Sequence, residues 1–230
     1  MSTTSPRSKK KPKLKLVLFD LDGTLLDSST GIFSAIQYAF TSHNLTIDFE
    51  ASTLRQHAGR GVEFLLQKIN NKLNKDQLLS LKHAAFSHYQ THAVSMTHPF
   101  QGVKEIIETL KSHAISWGIV TSKTRELTES VLAKVPYYDQ ARIVVCADDL
   151  NYKKPHPMPL IYAVKTLGIY SQCCAYVGDT KSDMLAAKHA HCYRIFAEYG
   201  YEACALGSDD YDFKISNLEQ LRQWIISTNA

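Results

Sequence analysis

The chain has 230 residues, of which 44% are hydrophobic and 21% are charged, a balance typical of a globular protein with a buried core. This composition excludes a protein that is disordered along its whole length. The length suits one large domain, or a core domain that carries an insert. The formal net charge of +4 owes much to residues 1–13, which contain five Lys or Arg and no acidic residue.

We expect residues 1–13 to form a disordered basic tail. An arm that binds nucleic acid would be expected to have aromatic residues between its lysines, and this tail has none. The tail also lacks the apolar core of a secretory signal, and no later stretch reaches the roughly 18 continuous apolar residues of a membrane span. We therefore expect neither a nucleic-acid partner nor a membrane partner.

The cysteines predict a reducing compartment. Their odd number and spacing fit neither a disulfide framework nor a CxxC metal site, so we expect free thiols and a cytoplasmic location. The five residues are Cys146, Cys173, Cys174, Cys192 and Cys204.

Short apolar segments alternate with helical patterns along most of the chain. The predicted strands are residues 13–20, 115–122, 141–147, 173–179 and 192–199. The predicted helices between and after them are residues 102–113, 124–135, 159–169 and 181–190. Apolar strands without polar alternation, separated by helices, predict a parallel sheet that is covered on both faces. The expected fold class is therefore α/β, with a Rossmann-like core.

Residues 28–98 differ from the rest, because they contain several helical patterns and no comparable strand. We interpret them as an all-helical cap domain inserted into a core formed by residues 14–27 and 99–230. A cap joined by two linkers, near residues 27–29 and 97–102, could open for substrate and close to exclude water.

Polar residues follow several of the predicted strands. The carboxyl ends of parallel strands meet at one edge of the sheet, so these residues should converge there. Clustered carboxylates repel one another and would take up protons unless a cation offsets them, and Mg²⁺ is a hard cation that prefers such oxygen ligands. The converging residues are Asp20, Asp22, Thr121, Ser122, Asp179 and Asp183, with Lys154 from a nearby loop.

Four ordered motifs resemble those of the haloacid dehalogenase superfamily. They are DLDGT at residues 20–24, VTS at 120–122, KP at 154–155 and GDTKSD at 178–183. The resemblance covers nearly the whole chain after the tail. It implies the fold of that superfamily with an inserted helical cap. The second aspartate of the first motif, Asp22, is typical of the phosphatases and phosphomutases of the superfamily, since its dehalogenases and P-type pumps lack it.

The resemblance also implies catalytic roles. Asp20 would be the nucleophile that forms an aspartyl-phosphate, and Asp22 would protonate the leaving alcohol and then deprotonate the attacking water. Thr121 would bind the transferring phosphoryl group, and Lys154 would neutralise its charge and steady Asp20.

A metal site and a substrate site are implied in the same way. Mg²⁺ would be held by a carboxylate oxygen of Asp20, the main-chain carbonyl of Asp22, and Asp179, with Asp183 behind them. Residues expected to bind substrate are Gly23, Thr24, Ser122 and Arg60.

The phosphoglycolate phosphatase group resembles this sequence most, which makes 2-phosphoglycolate the expected substrate. Arg60, in a turn between cap helices, would reach a substrate carboxylate, although it could also be an exposed loop arginine.

Several alternatives stay open. The sequence also resembles the N-acetylmuramic acid 6-phosphate phosphatases, so that sugar phosphate or another one could be the substrate. A phosphomutase of the β-phosphoglucomutase kind would use the same core chemistry. A non-catalytic binding protein would be expected to have a broken motif, whereas all the motif residues are present. We expect a monomer or a homodimer.

Overall fold

The computed structural model describes residues 13–47, 50, 54–202 and 206–229. The predicted basic tail therefore lies outside the described residues, apart from Lys13. Within the described part of the chain, each predicted strand and each predicted helix has a counterpart close to its expected position.

Eight strands are described. They are β1 (Leu16–Phe19), β2 (Leu26–Asp27), β3 (His98–Pro99), β4 (Ser116–Val120), β5 (Val144–Val145), β6 (Cys174–Gly178), β7 (Tyr193–Ala197) and β8 (Phe213–Ile215). Six of them form a parallel sheet in the order β5-β4-β1-β6-β7-β8. The central strand is β1, in which Leu16 pairs with Ser116 of β4 and with Cys174 of β6.

The described helices flank this sheet or lie in the insert. They are α1 (Ser29–Ser42), α2 (Val62–Ile69), α3 (Lys75–His88), α4 (Val103–Ser112), α5 (Arg125–Leu132), α6 (Met158–Thr166), α7 (Lys181–His189) and α8 (Leu218–Asn229). Capping boxes begin two of them, because Asn74 accepts a hydrogen bond from the Gln77 amide at α3 and Thr180 accepts one from the Asp183 amide at α7.

Hydrophobic side chains cover both faces of the sheet. Along β1 the residues alternate, with Val17 and Phe19 in the larger core cluster and Leu16 and Leu18 in the smaller one. All four are fully buried, so β1 is an apolar strand down the middle of the core. The α/β parallel-sheet fold expected from the sequence is confirmed.

The insert leaves the core through a two-stranded antiparallel ribbon. In this ribbon Leu26 pairs with Pro99 and Asp27 pairs with His98. Between these strands lie α1, α2 and α3, and the described residues there form no strand. The ribbon lies where the sequence places the linkers, and we keep the name cap for residues 28–98. The division into two domains remains a prediction.

Some elements were not expected from the sequence. The strand β8 has only three residues, with Lys214 exposed in the middle, and each ribbon strand has two, so their apolar patterns are too short to read. The helix α8 follows and packs on α4. The four described cysteines are free, as predicted, and Cys204 lies outside the described residues. Across the residues that the structure describes, no helix has both the length and the apolar character needed to cross a membrane.

Candidate active site

Three polar side chains follow the carboxyl ends of neighbouring strands. Asp20 follows β1, Thr121 follows β4 and Asp179 follows β6, and each is at least nine-tenths buried. Strand pairing continues into the first two residues, since the Asp20 amide donates to the Val177 carbonyl at 2.8 Å and the Thr121 amide donates to the Val145 carbonyl at 2.9 Å. Sheet geometry therefore fixes their positions.

A cluster of three buried carboxylates forms at this edge. One oxygen from each of Asp20, Asp179 and Asp183 lies within 4.8 Å of the other two. These are three of the four carboxylates that the sequence was expected to bring together. The fourth, Asp22, lies beside them with a different set of partners.

Asp183 is held rigidly by the start of α7. Its Oδ2 accepts hydrogen bonds from the Thr180 amide at 3.0 Å and from the Thr180 hydroxyl at 2.6 Å. Its Oδ1 accepts from Lys154 Nζ at 2.6 Å and lies 3.1 Å from the Tyr176 hydroxyl. Both oxygens of Asp183 therefore have partners, and one of those partners is the Lys154 ammonium that also lies beside Asp20.

Asp179 is enclosed by the loop after β1 and the loop after β7. Its Oδ1 accepts from the Thr24 hydroxyl at 3.1 Å, and its Oδ2 accepts from the Tyr201 amide at 2.7 Å. Gly23, with φ +84°, lies against it so closely that a Cβ there would be 2.2 Å from Asp179 Oδ2. Only glycine suits this position. The Thr24 hydroxyl thus donates its proton to a hydrogen bond with Asp179. The expected contact of Thr24 with substrate stays a prediction.

Lys154 reaches the cluster from the loop after β5. Its side chain is 2% exposed, and Nζ lies 2.9 Å from Asp20 Oδ1 and 2.6 Å from Asp183 Oδ1. The Nζ also donates to the Tyr176 hydroxyl at 2.9 Å. One ammonium therefore serves two of the three clustered carboxylates.

The charges in the cluster do not balance, and the pKa values reflect this. Burial raises the pKa of Asp20 to about 7, against the opposing pull of Lys154, and Asp183 raises it further. Burial, followed by the charges of Asp183 and Asp20, also raises the pKa of Asp179 well above its usual value. Burial would lower the pKa of Lys154, but Asp183 and Asp20 together raise it. The cluster needs more positive charge than Lys154 supplies.

Asp22 points to the side of this cluster. Its Oδ1 accepts from the Ser28 hydroxyl at 2.6 Å, and its Oδ2 lies 2.9 Å from Lys123 Nζ. Lys123 was not expected at the site, although it directly follows the VTS motif. Its position just after the end of β4 was the signal that could have identified it. Lys154, by contrast, was identified from the KP motif that it forms with Pro155.

The remaining predicted residues are placed as follows. Thr121 is buried, and its hydroxyl oxygen accepts from the Lys123 amide at 3.1 Å. Ser122, the next residue in the chain, is exposed. Arg60 is exposed too, with its guanidinium carbon 3.8 Å from the centroid of the Phe64 ring. No described contact brings Arg60 to the carboxylates.

The loop that carries Arg60 nevertheless packs on the core. A Cβ on the neighbouring Gly59 would lie 2.9 Å from Thr180 Cγ2, at the start of α7. Arg60 is therefore one residue away from a close contact between the cap and the core.

The donor set fits a hard divalent cation. Asp20 Oδ1 is buried, and the polar group that the described residues bring to it is the Lys154 ammonium, with Nζ 2.9 Å away. The ligand atoms available are carboxylate oxygens, which suit Mg²⁺ better than softer metals. A cation here would also oppose the two effects that raise the pKa values of Asp20 and Asp179, which are burial and the charges of the neighbouring carboxylates.

The fold and the site define a Rossmann-like α/β protein with an acidic cluster at the sheet edge where such folds bind ligands. The chain belongs to the haloacid dehalogenase-like hydrolases, whose family model matches residues 17–197. The family resemblance of the four motifs is thereby confirmed.

Curated relatives of the chain include phosphatases. A phosphoglycolate phosphatase of Yersinia pseudotuberculosis is 31% identical over 201 residues, covering 84% of this chain and 86% of that protein. An N-acetylmuramic acid 6-phosphate phosphatase of Pseudomonas aeruginosa is 28% identical over 192 residues, covering 84% and 85%. A solved structure from Haemophilus somnus, described as a "predicted phosphoglycolate phosphatase", superposes with a TM-score of 0.85 at 24% identity and covers 92% of this chain and 98% of that one.

Proposed function

We propose that the protein is a Mg²⁺-dependent phosphomonoester hydrolase that forms an aspartyl-phosphate at Asp20, with 2-phosphoglycolate as the first candidate substrate. The observation that carries this proposal is the state of Asp20. Its Oδ1 is buried, lies 2.9 Å from Lys154 Nζ and belongs to a cluster with Asp179 and Asp183. A carboxylate held in this way is available to attack phosphorus.

The reaction would proceed in two displacements. In the first, an oxygen of Asp20 attacks phosphorus, the bond from phosphorus to the alcohol oxygen breaks, and Asp22 gives that oxygen a proton. In the second, water attacks phosphorus, Asp22 takes its proton, and the bond from phosphorus to Asp20 breaks. Inorganic phosphate is released and both aspartates return to their initial states.

Thr121 and Lys154 would bind the phosphoryl group during both steps. The hydroxyl oxygen of Thr121 accepts a hydrogen bond from the Lys123 amide, so its own proton is free for a phosphoryl oxygen. Lys154 would share its charge between the phosphoryl group and Asp20. Gly23, Thr24 and Ser122 would complete the lining of the site.

Asp20, Asp179 and the main-chain carbonyl of Asp22 would hold the Mg²⁺. Asp183 would support these ligands without binding the ion directly, because its oxygens already accept hydrogen bonds from Lys154 and Thr180. When bound, the ion would neutralise the charges of the phosphate and the carboxylates that meet there.

The relatives suggest a substrate class as well as a reaction. One relative is named for phosphoglycolate and the other for N-acetylmuramic acid 6-phosphate, and both compounds carry a carboxylate besides the phosphate. We propose that Arg60 recognises this carboxylate when the cap lies over the substrate. Its guanidinium is exposed, it has no described acidic partner, and the adjacent Gly59 packs on the core. The amino-sugar phosphate remains the second candidate because of the Pseudomonas relative.

The test is a comparison of kcat/KM with Mg²⁺, and with EDTA as a control, for 2-phosphoglycolate, N-acetylmuramic acid 6-phosphate and the carboxylate-free glycerol 1-phosphate. We expect 2-phosphoglycolate to be preferred. Arg60→Met should raise KM for it by at least about tenfold and leave glycerol 1-phosphate unaffected, since a charge-assisted hydrogen bond contributes about 1.5–3 kcal/mol. The exposed Arg142 supplies the matched control, Arg142→Met.

A preference for the amino-sugar phosphate would move the assignment to the second candidate. Failure of the wild-type protein to hydrolyse any phosphomonoester in Mg²⁺ would refute the proposed function.

A further inference from the structure

Lys123 is a buried cation that the proposed mechanism leaves without a role. Its side chain is 6% exposed, and its Nζ lies 2.9 Å from Asp22 Oδ2. Lysine is rarely buried to this extent unless it is paired. Asp22 is the expected acid and base of the reaction, so a lysine buried beside it could affect the proton transfers.

The ammonium of Lys123 is also held by the cap. It lies 4.7 Å from the centroid of the Tyr89 ring, a distance at which the ring attracts a cation, and it donates to the Tyr89 hydroxyl at 3.5 Å. Tyr89 begins the π-helical segment Tyr89–Ala93, and its hydroxyl lies 3.1 Å from Thr97 Oγ1 near the second linker. One side chain thus contacts Asp22 of the core and an aromatic ring of the cap.

The main chain of Lys123 is fixed from two sides. Its amide donates to the Thr121 hydroxyl oxygen at 3.1 Å, and its carbonyl accepts from the Ala147 amide at 3.0 Å. The reach of the side chain is therefore defined by the ends of β4 and β5.

We propose that Lys123 is a positioning residue that holds the Asp22 carboxylate for proton transfer, and that Tyr89 of the cap holds the ammonium in turn. Lys123 binds one carboxylate oxygen and the Ser28 hydroxyl binds the other, which sets the plane of the carboxylate. Each oxygen keeps a second lone pair for the reacting proton. The inference rests on the proposed function, because it assigns to Asp22 the proton transfers described above.

The consequence is greatest in the second displacement. In that step Asp22 takes the proton of the attacking water, so its carboxylate must lie where the water is held. Misplacing that carboxylate should slow hydrolysis of the aspartyl-phosphate, while attack by Asp20, supported by Lys154, continues.

The experiment uses Lys123→Met with p-nitrophenyl phosphate in stopped flow. Its leaving group departs with the electron pair of the broken bond and needs no proton, so the first turnover reports attack by Asp20 and the steady state reports hydrolysis of the intermediate. We expect the first turnover to change by less than about threefold and the steady-state rate to fall at least about tenfold. A burst approaching one p-nitrophenolate per active site should then appear, with the aspartyl-phosphate detectable by mass spectrometry.

Three further variants sharpen the result. Lys123→Arg, which keeps both the charge and the aromatic contact, should recover most of the steady-state rate. Tyr89→Leu should show the same pattern as Lys123→Met with a smaller loss, and it keeps the inference testable if Lys123→Met fails to fold, as judged by circular dichroism. Lys134→Met replaces an exposed lysine and should behave as wild type.

Equal slowing of both phases, or a raised KM with an unchanged kcat, would overturn the inference, because the former indicates a structural role and the latter a substrate-binding one. The proposed function is judged separately, from turnover by the wild-type enzyme.

Discussion

Lys154 and Asp183 form a buried ion pair in which Nζ lies 2.6 Å from Oδ1. Asp183 is itself fixed by the capping box at the start of α7, where it bonds to Thr180. The start of a helix therefore places the ammonium that stands 2.9 Å from Asp20. The motif that ends in Asp183 and the motif that contains Lys154 thus act as one unit.

Replacement of Lys154 should damage both activity and stability. In Lys154→Met, Asp20 and Asp183 lose their shared cation, and removing one partner of a buried pair costs about 3–5 kcal/mol. We expect the free energy of unfolding at pH 8 to fall by that order and kcat/KM to fall at least about 100-fold. Urea denaturation and steady-state kinetics measure the two effects.

The control for this prediction is the neighbouring Lys153, which is exposed. Lys153→Met should match wild type in both measurements. A Lys154→Met protein with wild-type stability would show that the ion pair does not hold the cluster together.

Asp20 should make the stability of the metal-free protein depend on pH. Its pKa is about 7 in the folded protein, against 3.8 for the ordinary group, mainly because of burial. Between these values the folded state keeps a proton that the unfolded state has lost, so stability falls as pH rises from about 4 to 7. Below that window both states are protonated, and the contribution is fully present.

The prediction is tested with Asp20→Asn, which cannot ionise. In EDTA, its free energy of unfolding should rise relative to wild type between pH 4 and pH 7, by a few kcal/mol at roughly 1.4 kcal/mol per pKa unit. Parallel pH curves for the two proteins would mean that the Asp20 carboxyl ionises in the folded protein as readily as in the unfolded chain.

Much of the fold and the centre of the site could be predicted from the sequence. The apolar runs that became β1, β4 and β6 lie in one parallel sheet, and that topology alone brings Asp20 and Asp179 together. The linkers between core and cap were expected near Asp27 and Thr97, and the ribbon strands β2 and β3 lie there.

The supporting contacts could not be predicted, because they join residues far apart in the chain. Tyr201 donates its amide to Asp179 and contacts Ser28 with its hydroxyl, across 22 and 173 positions respectively. Tyr89 begins the π-helical segment of the cap, and Lys123 comes three residues after the end of β4, yet the two side chains are in contact. No periodicity or local motif encodes such pairs. The roles of the individual site residues remain predictions.

Mg²⁺ should stabilise the folded protein. A ligand that binds only the folded state adds about 2.7 kcal/mol at 100 times its dissociation constant, so the melting temperature should rise with Mg²⁺ concentration. The rise should be larger at pH 8 than at pH 5.5, because burial and mutual repulsion raise the pKa values of Asp20 and Asp179, and their protons compete with the ion at low pH.

Asp179→Asn should lose most of this Mg²⁺-dependent shift, and the exposed Asp139 provides the matched control, Asp139→Asn. Thermal denaturation followed by circular dichroism, with and without Mg²⁺, measures it. An equal shift in wild type and Asp179→Asn would place the ion elsewhere.

Gly23 should tolerate no side chain, for two reasons that can be separated. Its φ of +84° disfavours any other residue, and a Cβ would lie 2.2 Å from Asp179 Oδ2. Gly168 has a φ of +66° but has open space around its Cβ position, so Gly168→Ala carries the backbone cost alone. We expect Gly23→Ala to lose about 1–3 kcal/mol more free energy of unfolding than Gly168→Ala, since overpacking costs that much.

The displaced carboxylate should also affect the metal. If Asp179 shifts to make room for the added methyl group, Gly23→Ala should lose the Mg²⁺-dependent rise in melting temperature, whereas Gly168→Ala should keep it. Urea denaturation gives the first comparison and thermal denaturation with Mg²⁺ gives the second. Equal losses of stability in the two variants, with the Mg²⁺ effect intact in both, would show that Asp179 yields to the methyl group without cost and that the close packing around it does not position the carboxylate.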